Sequence, residues 1–152
     1  MTIEKKLLGT NPVDGAVTVE DVFSTYLYKG NATNGRDIVN GIDLSGEGGL
    51  VWIKSRSGVK GSNAHSLFDT ERGTVKFLST NSANAENTIA TDTLVAFNSD
   101  GFTLDDDNSF VETVNVASTD YTSWTFRKAE KFFDVVTYIG SDSTRKIGRA
   151  HV

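Results

Sequence analysis

The chain has no cysteine and a single proline among 152 residues. Without thiols there is no disulfide framework, no cysteine-ligated zinc and no cysteine nucleophile, so stability must come from a packed core and a hydrogen-bonded backbone. Histidine is almost as scarce: His65 and His151 are the two present, which excludes a histidine-rich metal site. Long hydrophobic runs are missing too. Nothing approaches the roughly 20 apolar residues of a membrane-spanning helix. The opening MTIEKKLLGTNP has a basic pair but no apolar stretch long enough for a secretory signal, so Met1 reads as the start of a product made in the cytoplasm. Positive charge is in deficit, with 15 basic against 20 acidic side chains and a net charge of −5; setting aside Lys146 and Arg149 leaves −7 over residues 1–145. Such a surface repels phosphate backbones, and no basic cluster interleaves with aromatics, so neither nucleic acid nor membrane is an expected partner.

What is present points to a globular β domain. Apolar residues make up 38% of the chain, with nine Phe, four Tyr and two Trp. A chain of about 150 residues buries roughly 68–70% of its unfolded surface, enough for one real core. Short stretches rich in β-branched and aromatic residues recur: Val22–Lys29, Gly49–Arg56, Thr93–Ser99, Tyr121–Lys128 and Phe132–Ile139 each read as a strand. Asp100-Gly101 is a strong hairpin signal, and Asn34-Gly35 and Asn40-Gly41 mark tight turns. The opening of Gly49–Arg56 with four apolar residues suggests a strand covered on both faces. Tyr121–Lys128 alternates best, placing Trp124 and Phe126 on one face and Tyr121, Ser123 and Thr125 on the other. The expected core is Trp124 and Phe126 with Val51, Ile53, Leu94, Phe97 and Phe102. The expected fold is all-β, an antiparallel β-sandwich of jelly-roll type.

The chain also resembles itself. Phe23, Tyr28 and Gly30 recur as Phe133, Tyr138 and Gly140 at a constant offset of 110, and Arg36 recurs as Arg145 after a one-residue deletion. That spacing suggests tandem domains rather than a solenoid. The expected organisation is a lead-in over residues 1–20, a sandwich over 21–130 and the first strand of a truncated second repeat over 131–145. The last seven residues, KIGRAHV, back-translate to AAG ATC GGA AGA GCA CAC GTC, which resembles read-through into a sequencing adapter; 146–152 reads as a non-native tail.

Five segments in order carry a family resemblance: DVFSTYLYKG, NGIDLSGEGGLVWIKSR, HSLFDTERG, FNSDGFTL and SWTFRKAEKFFDVVTYIG. They resemble repeated domains of tailed-phage virion proteins, often from marine viral metagenomes, that look like members of the concanavalin A-like, laminin-G-like superfamily. The resemblance covers about Asp21 to Gly140. It implies a virion location, a part in a tail fibre or similar appendage, oligomerisation as a trimer in the intact fibre with other virion proteins as partners, and contact with a host cell-surface glycan. It supplies no catalytic residue, and the fold alone does not assign one.

Candidate sites follow from residue types. A Ser66/His65 pair is badly aimed, because neighbours on a strand point to opposite faces; Asp69, Glu71 and Arg72 before Gly73 suit turn hydrogen bonds and an ion pair at the sheet edge. The carboxylate pattern that concanavalin-like glucanases place on one strand is missing, since no Glu has Asp two positions later. The expected function is therefore non-enzymatic, with a glycan-cleaving domain using carboxylates from separate loops as the alternative. LDDDNSF offers Asp105, Asp107 and Asn108 as hard oxygen ligands, so calcium is the one candidate cofactor, against the plainer reading of a solvated acidic turn. Gly30–Asp37 has the glycine spacing of a phosphate loop but lacks its Lys-Ser/Thr, and reads as a hairpin loop. Trp52, Trp124, Tyr26, Tyr28 and Tyr121 offer faces for a sugar ring, and an outward Tyr121 joins Asp105, Asp107 and Asn108 as a candidate ligand contact.

Overall fold

The computed structural model describes residues 17–57, 64–89, 93–106 and 114–144. A short helix, α1 (Val19–Val22), leads into β1 (Phe23–Lys29). Asp21 tightens that entry by accepting hydrogen bonds from the Thr18 backbone N–H and hydroxyl, each at 2.8 Å. The strands that follow are β2 (Arg36–Val39), β3 (Gly49–Ser55), β4 (Ser66–Asp69), β5 (Gly73–Leu78), β6 (Asn87–Thr88), β7 (Leu94–Phe97), β8 (Gly101–Leu104) and β9 (Asp120–Arg127). They form two antiparallel sheets, one in the order β1-β9-β3-β4-β5-β6 and a smaller one in the order β2-β8-β7. The fold is all-β, as the strand patterning implies.

The core lies between the sheets. The larger sheet contributes Tyr28, Val51, Ile53, Phe68, Phe77 and Tyr121; the smaller contributes Ile38, Leu94, Phe102 and Leu104. Alternation along each strand explains the selection, since successive side chains point to opposite faces. In β3 it is Val51 and Ile53 that face inward, fully buried, while Leu50 and Trp52 face out and are half-buried. Asp100-Gly101 makes the expected hairpin between β7 and β8, with Gly101 at φ +152° and the Asn98 N–H donating to the Gly101 carbonyl at 2.9 Å.

Four expectations are corrected here. Trp124 and Phe126 are not core: β9 turns Tyr121, Ser123 and Thr125 inward and leaves the two larger rings on the outer face. Both faces of that strand carry aromatic side chains, so its apolar content alone does not give its orientation; the register does, aligning Val51 with Thr125 and Trp52 with Trp124. Phe97 packs against the core only in part, whereas Leu94 and Phe102 are fully buried. Gly30–Asp37 is no hairpin loop but the crossover from β1 in one sheet to β2 in the other. Phe132–Ile139 is not a strand either. Past the isolated bridge between Ala129 and Phe133 it joins no ladder among the described residues, and the place beside β9 is taken by β1 on one side and β3 on the other.

Candidate functional site

At one end of the sandwich, the crossover after β1 meets the loop before β9. Asn115, fully buried, joins them: its Oδ1 accepts from the Asn31 N–H at 3.1 Å and from Arg36 Nη1 at 3.0 Å, and its Nδ2 donates to the carbonyls of Thr33 at 3.1 Å and Asp105 at 2.8 Å. Tyr28 and Tyr121 stack at 5.1 Å beneath it; the Tyr28 hydroxyl donates to the Val114 carbonyl at 2.7 Å, and the Tyr121 hydroxyl accepts from the Val116 N–H at 3.1 Å. Every one of these groups is engaged within the fold. Tyr121, expected to point outward, is fully buried, because its face of β9 is the core face and its hydroxyl serves the loop backbone.

The acidic loop fares similarly where it is described. Asp105 is buried, with its carboxylate accepting from the Asp106 N–H at 2.9 Å, while Asp107 and Asn108 lie outside the described residues. Among the described residues no group of three or more His, Asp or Glu could hold a metal ion.

The opposite end carries a shallow cavity of about 410 Å³ between the loop before β3 and the turn after β4, lined by Leu44, Glu47, Thr70, Glu71, Phe97 and Lys128. Of its lining acids Glu71 pairs with Lys128, and beside the cavity Asp43 closes a turn by accepting from the Ser45 and Gly46 N–H groups at 3.0 Å. The Gly46 N–H and the Ser45 hydroxyl hold the Asp43 carboxyl below its ordinary value.

The outer face of the larger sheet is different. Cross-strand neighbours Phe23 and Phe126 approach to 4.9 Å, and Trp52 and Trp124 to 5.2 Å. Leu50, Leu67 and Leu78 continue the apolar stripe over β3, β4 and β5. The indole N–H of Trp52 donates to His65 Nδ1 at 2.9 Å, which requires that nitrogen to be unprotonated. Burial, and secondarily the charge of Lys54, lowers the His65 pKa from its ordinary 6.5. Ser66, next along the strand, is buried on the other face, so no Ser-His pair forms.

Phe133 lies against Phe126 at 5.2 Å, and the residues after it cross this face. Val135 and Tyr138 roof a groove of about 400 Å³ whose floor is Leu50, Leu67 and Leu78. Charged groups edge the groove: Asp69 pairs with Arg72 and accepts from the Glu71 and Arg72 N–H groups, and Glu86 lies 4.0 Å from Arg72 Nη1 and 3.4 Å from Lys76. The Asp69–Arg72 pairing agrees with the turn expected from the sequence, though it sits between β4 and β5 rather than at a sheet edge. Asn115 and strands β2, β5 and β6 carry no expectation in the sequence reading. A lone Asn in VETVNVAST carries no local signal of burial, whereas the alternation in GTVKFL was there to be read.

These features define a two-sheet antiparallel β domain whose larger sheet carries aromatic and apolar side chains on both faces. The model of the family described as Domain of unknown function (DUF7483) matches residues 18–150, and the chain belongs to that family. No curated protein and no solved structure matches the chain.

Proposed function

We propose that this chain is a non-enzymatic module of a tailed-phage virion appendage, a tail fibre or similar structural part, and that it contacts a glycan on the host surface. The virion assignment rests on the resemblance of the five sequence segments, and with it come the concanavalin A-like jelly-roll topology, the virion location and the trimeric assembly with other virion proteins. The contact assignment rests on one observation: the half-buried Trp52–Trp124 pair on the side of the sheet away from the core, where packing between the sheets gives it no role. Aromatic rings placed on an outer face are suited to stacking on the apolar face of a sugar ring, and the polar groups of Glu86 and Lys76 at the edge suit hydroxyls. The site so proposed is a sheet face, in place of the end loops, since Tyr121 and Asp105 are occupied within the fold.

The non-enzymatic reading rests on the sequence: no Glu stands two positions before an Asp, so the one-strand carboxylate pattern of concanavalin-like glucanases is missing. The test is a glycan-array screen of the chain with and without calcium, followed by incubation with any hit. Binding without turnover, lost in Trp52→Ala and Trp124→Ala, supports the reading; cleavage of the hit overturns it, and loss of binding with chelator brings calcium into the site.

A further inference from the structure

Phe133–Gly140 repeats the residue pattern of β1 in surroundings that leave most of its side chains exposed. In β1, Tyr28 is 7% exposed, stacked on Tyr121 and hydrogen-bonded to the Val114 carbonyl; its counterpart Tyr138 is 59% exposed. Ile139 is 87% exposed. The glycines differ more sharply. Gly30 lies so close to the loop before β9 that a Cβ there would stand 2.0 Å from the Val116 carbonyl oxygen, and its own N–H and carbonyl bond to Thr119 and Ser118 at 2.7 and 3.0 Å. No side chain other than hydrogen fits. Around Gly140 a Cβ would meet nothing within 4 Å. A glycine there answers no demand of its present surroundings, whereas it answers the demand of a β1 seat.

We propose that Phe133–Gly140 is a second β1, built to seat on the β9 edge and the 114–119 loop of a following unit of this same fold. The partner is thus a further copy of this domain in line with the first. The β1–β9 register, carried over at the offset of 110, sets the contacts: Phe133 opposite the next unit's equivalent of Phe126, Val135 opposite that of Trp124, and Tyr138 opposite and stacked on that of Tyr121. Val136 then takes the position of Tyr26, on the same side of the strand as Tyr28, and Gly140 meets the carbonyl equivalent to that of Val116. Within this chain the seat is filled, since β9 is flanked by β1 and β3. The segment therefore lies across the outer face, where Phe133 and Val135 still find apolar cover. The proposal is independent of glycan binding and adds that the roof of the groove leaves when a following unit takes it up.

The test is a chain in which residues 1–140 are followed directly by residues 31–132, so that the single copy of Phe133–Gly140 stands where the second unit has no other first strand. The expected result is two folded units, with the urea-unfolding amplitude per chain doubled and both units resistant to limited proteolysis. Gly140→Val or Tyr138→Asp in that chain is expected to unfold the second unit and leave the first intact. In the unextended protein, Gly140→Val is expected to leave the urea midpoint unchanged, while Gly30→Val abolishes folding. A second unit that is digested while the first survives would overturn the proposal. So would a second unit that folds with Gly140→Val in place, or a stable dimer of the unextended protein with its own β1 released.

Discussion

At the scale of single residues, three side chains decide most of what the ends and the outer face can do. Asn115 satisfies four partners from two stretches of chain, the crossover after β1 and the loop after β8, so replacing it with Ala orphans buried groups at about 1–3 kcal/mol each. Asn115→Ala is accordingly expected to lower the urea midpoint more than substitutions on the surface do. Tyr121→Phe removes the acceptor for the Val116 N–H and is expected to destabilise by about 1–3 kcal/mol while leaving glycan binding unchanged, checked by urea titration beside the array. His65 makes the outer face sensitive to pH. Because folded His65 holds its proton less tightly than the unfolded chain does, the unfolded state takes up more protons below about 6.5, and stability rises with pH through that window. The contribution is present above the ordinary value and is lost as pH falls through the lowered folded value. Protonating Nδ1 also removes the acceptor for the Trp52 indole. Trp52 emission is expected to change with a midpoint below 6.5 in native protein, a transition that His65→Gln abolishes.

At the scale of elements, β9 shows what local pattern can and cannot give. Its existence and two-residue period are plain in YTSWTFRK, with each limit displaced by one residue from Asp120–Arg127. Which face points inward is not, because the strand offers tyrosine on one side and tryptophan and phenylalanine on the other. Size favours the tryptophan face as core; the smaller sheet, covering only part of the larger one, takes the tyrosine face instead. The same reasoning applies to Phe132–Ile139, whose composition is that of a strand but whose pairing edge is already occupied. By contrast, the β7–β8 hairpin was legible from Asp100-Gly101 and the strand composition on either side, while the register shift between Leu94 and Ala96 and the partial burial of Phe97 were not. A comparison of truncations measures the orientation: Phe102→Ala, at a fully buried site, is expected to cost about 3–5 kcal/mol, and Trp124→Ala on the outer face clearly less. Equal losses in urea titrations would mean that the outer face is packed as tightly as the core.

At the scale of the whole molecule, the two sheets are unequal, and that inequality creates the proposed site. Three strands cannot cover six, and the larger sheet keeps apolar side chains on its outer surface as well as beneath. A contiguous apolar face of this kind marks a contact surface in a folded domain. The class of fold could be read from the strands and turns, while the site could not, because it is composed of residues from β1, β3, β4, β5 and β9 that only the strand order brings side by side. The most direct test uses the two tryptophans themselves, Trp52 and Trp124, which are the chain's complete set and both lie on this face. Native protein is titrated with a glycan that it binds on an array while intrinsic emission is followed. The account gives a saturable shift or quenching with the same midpoint as binding; saturation of binding with tryptophan emission unchanged would contradict it.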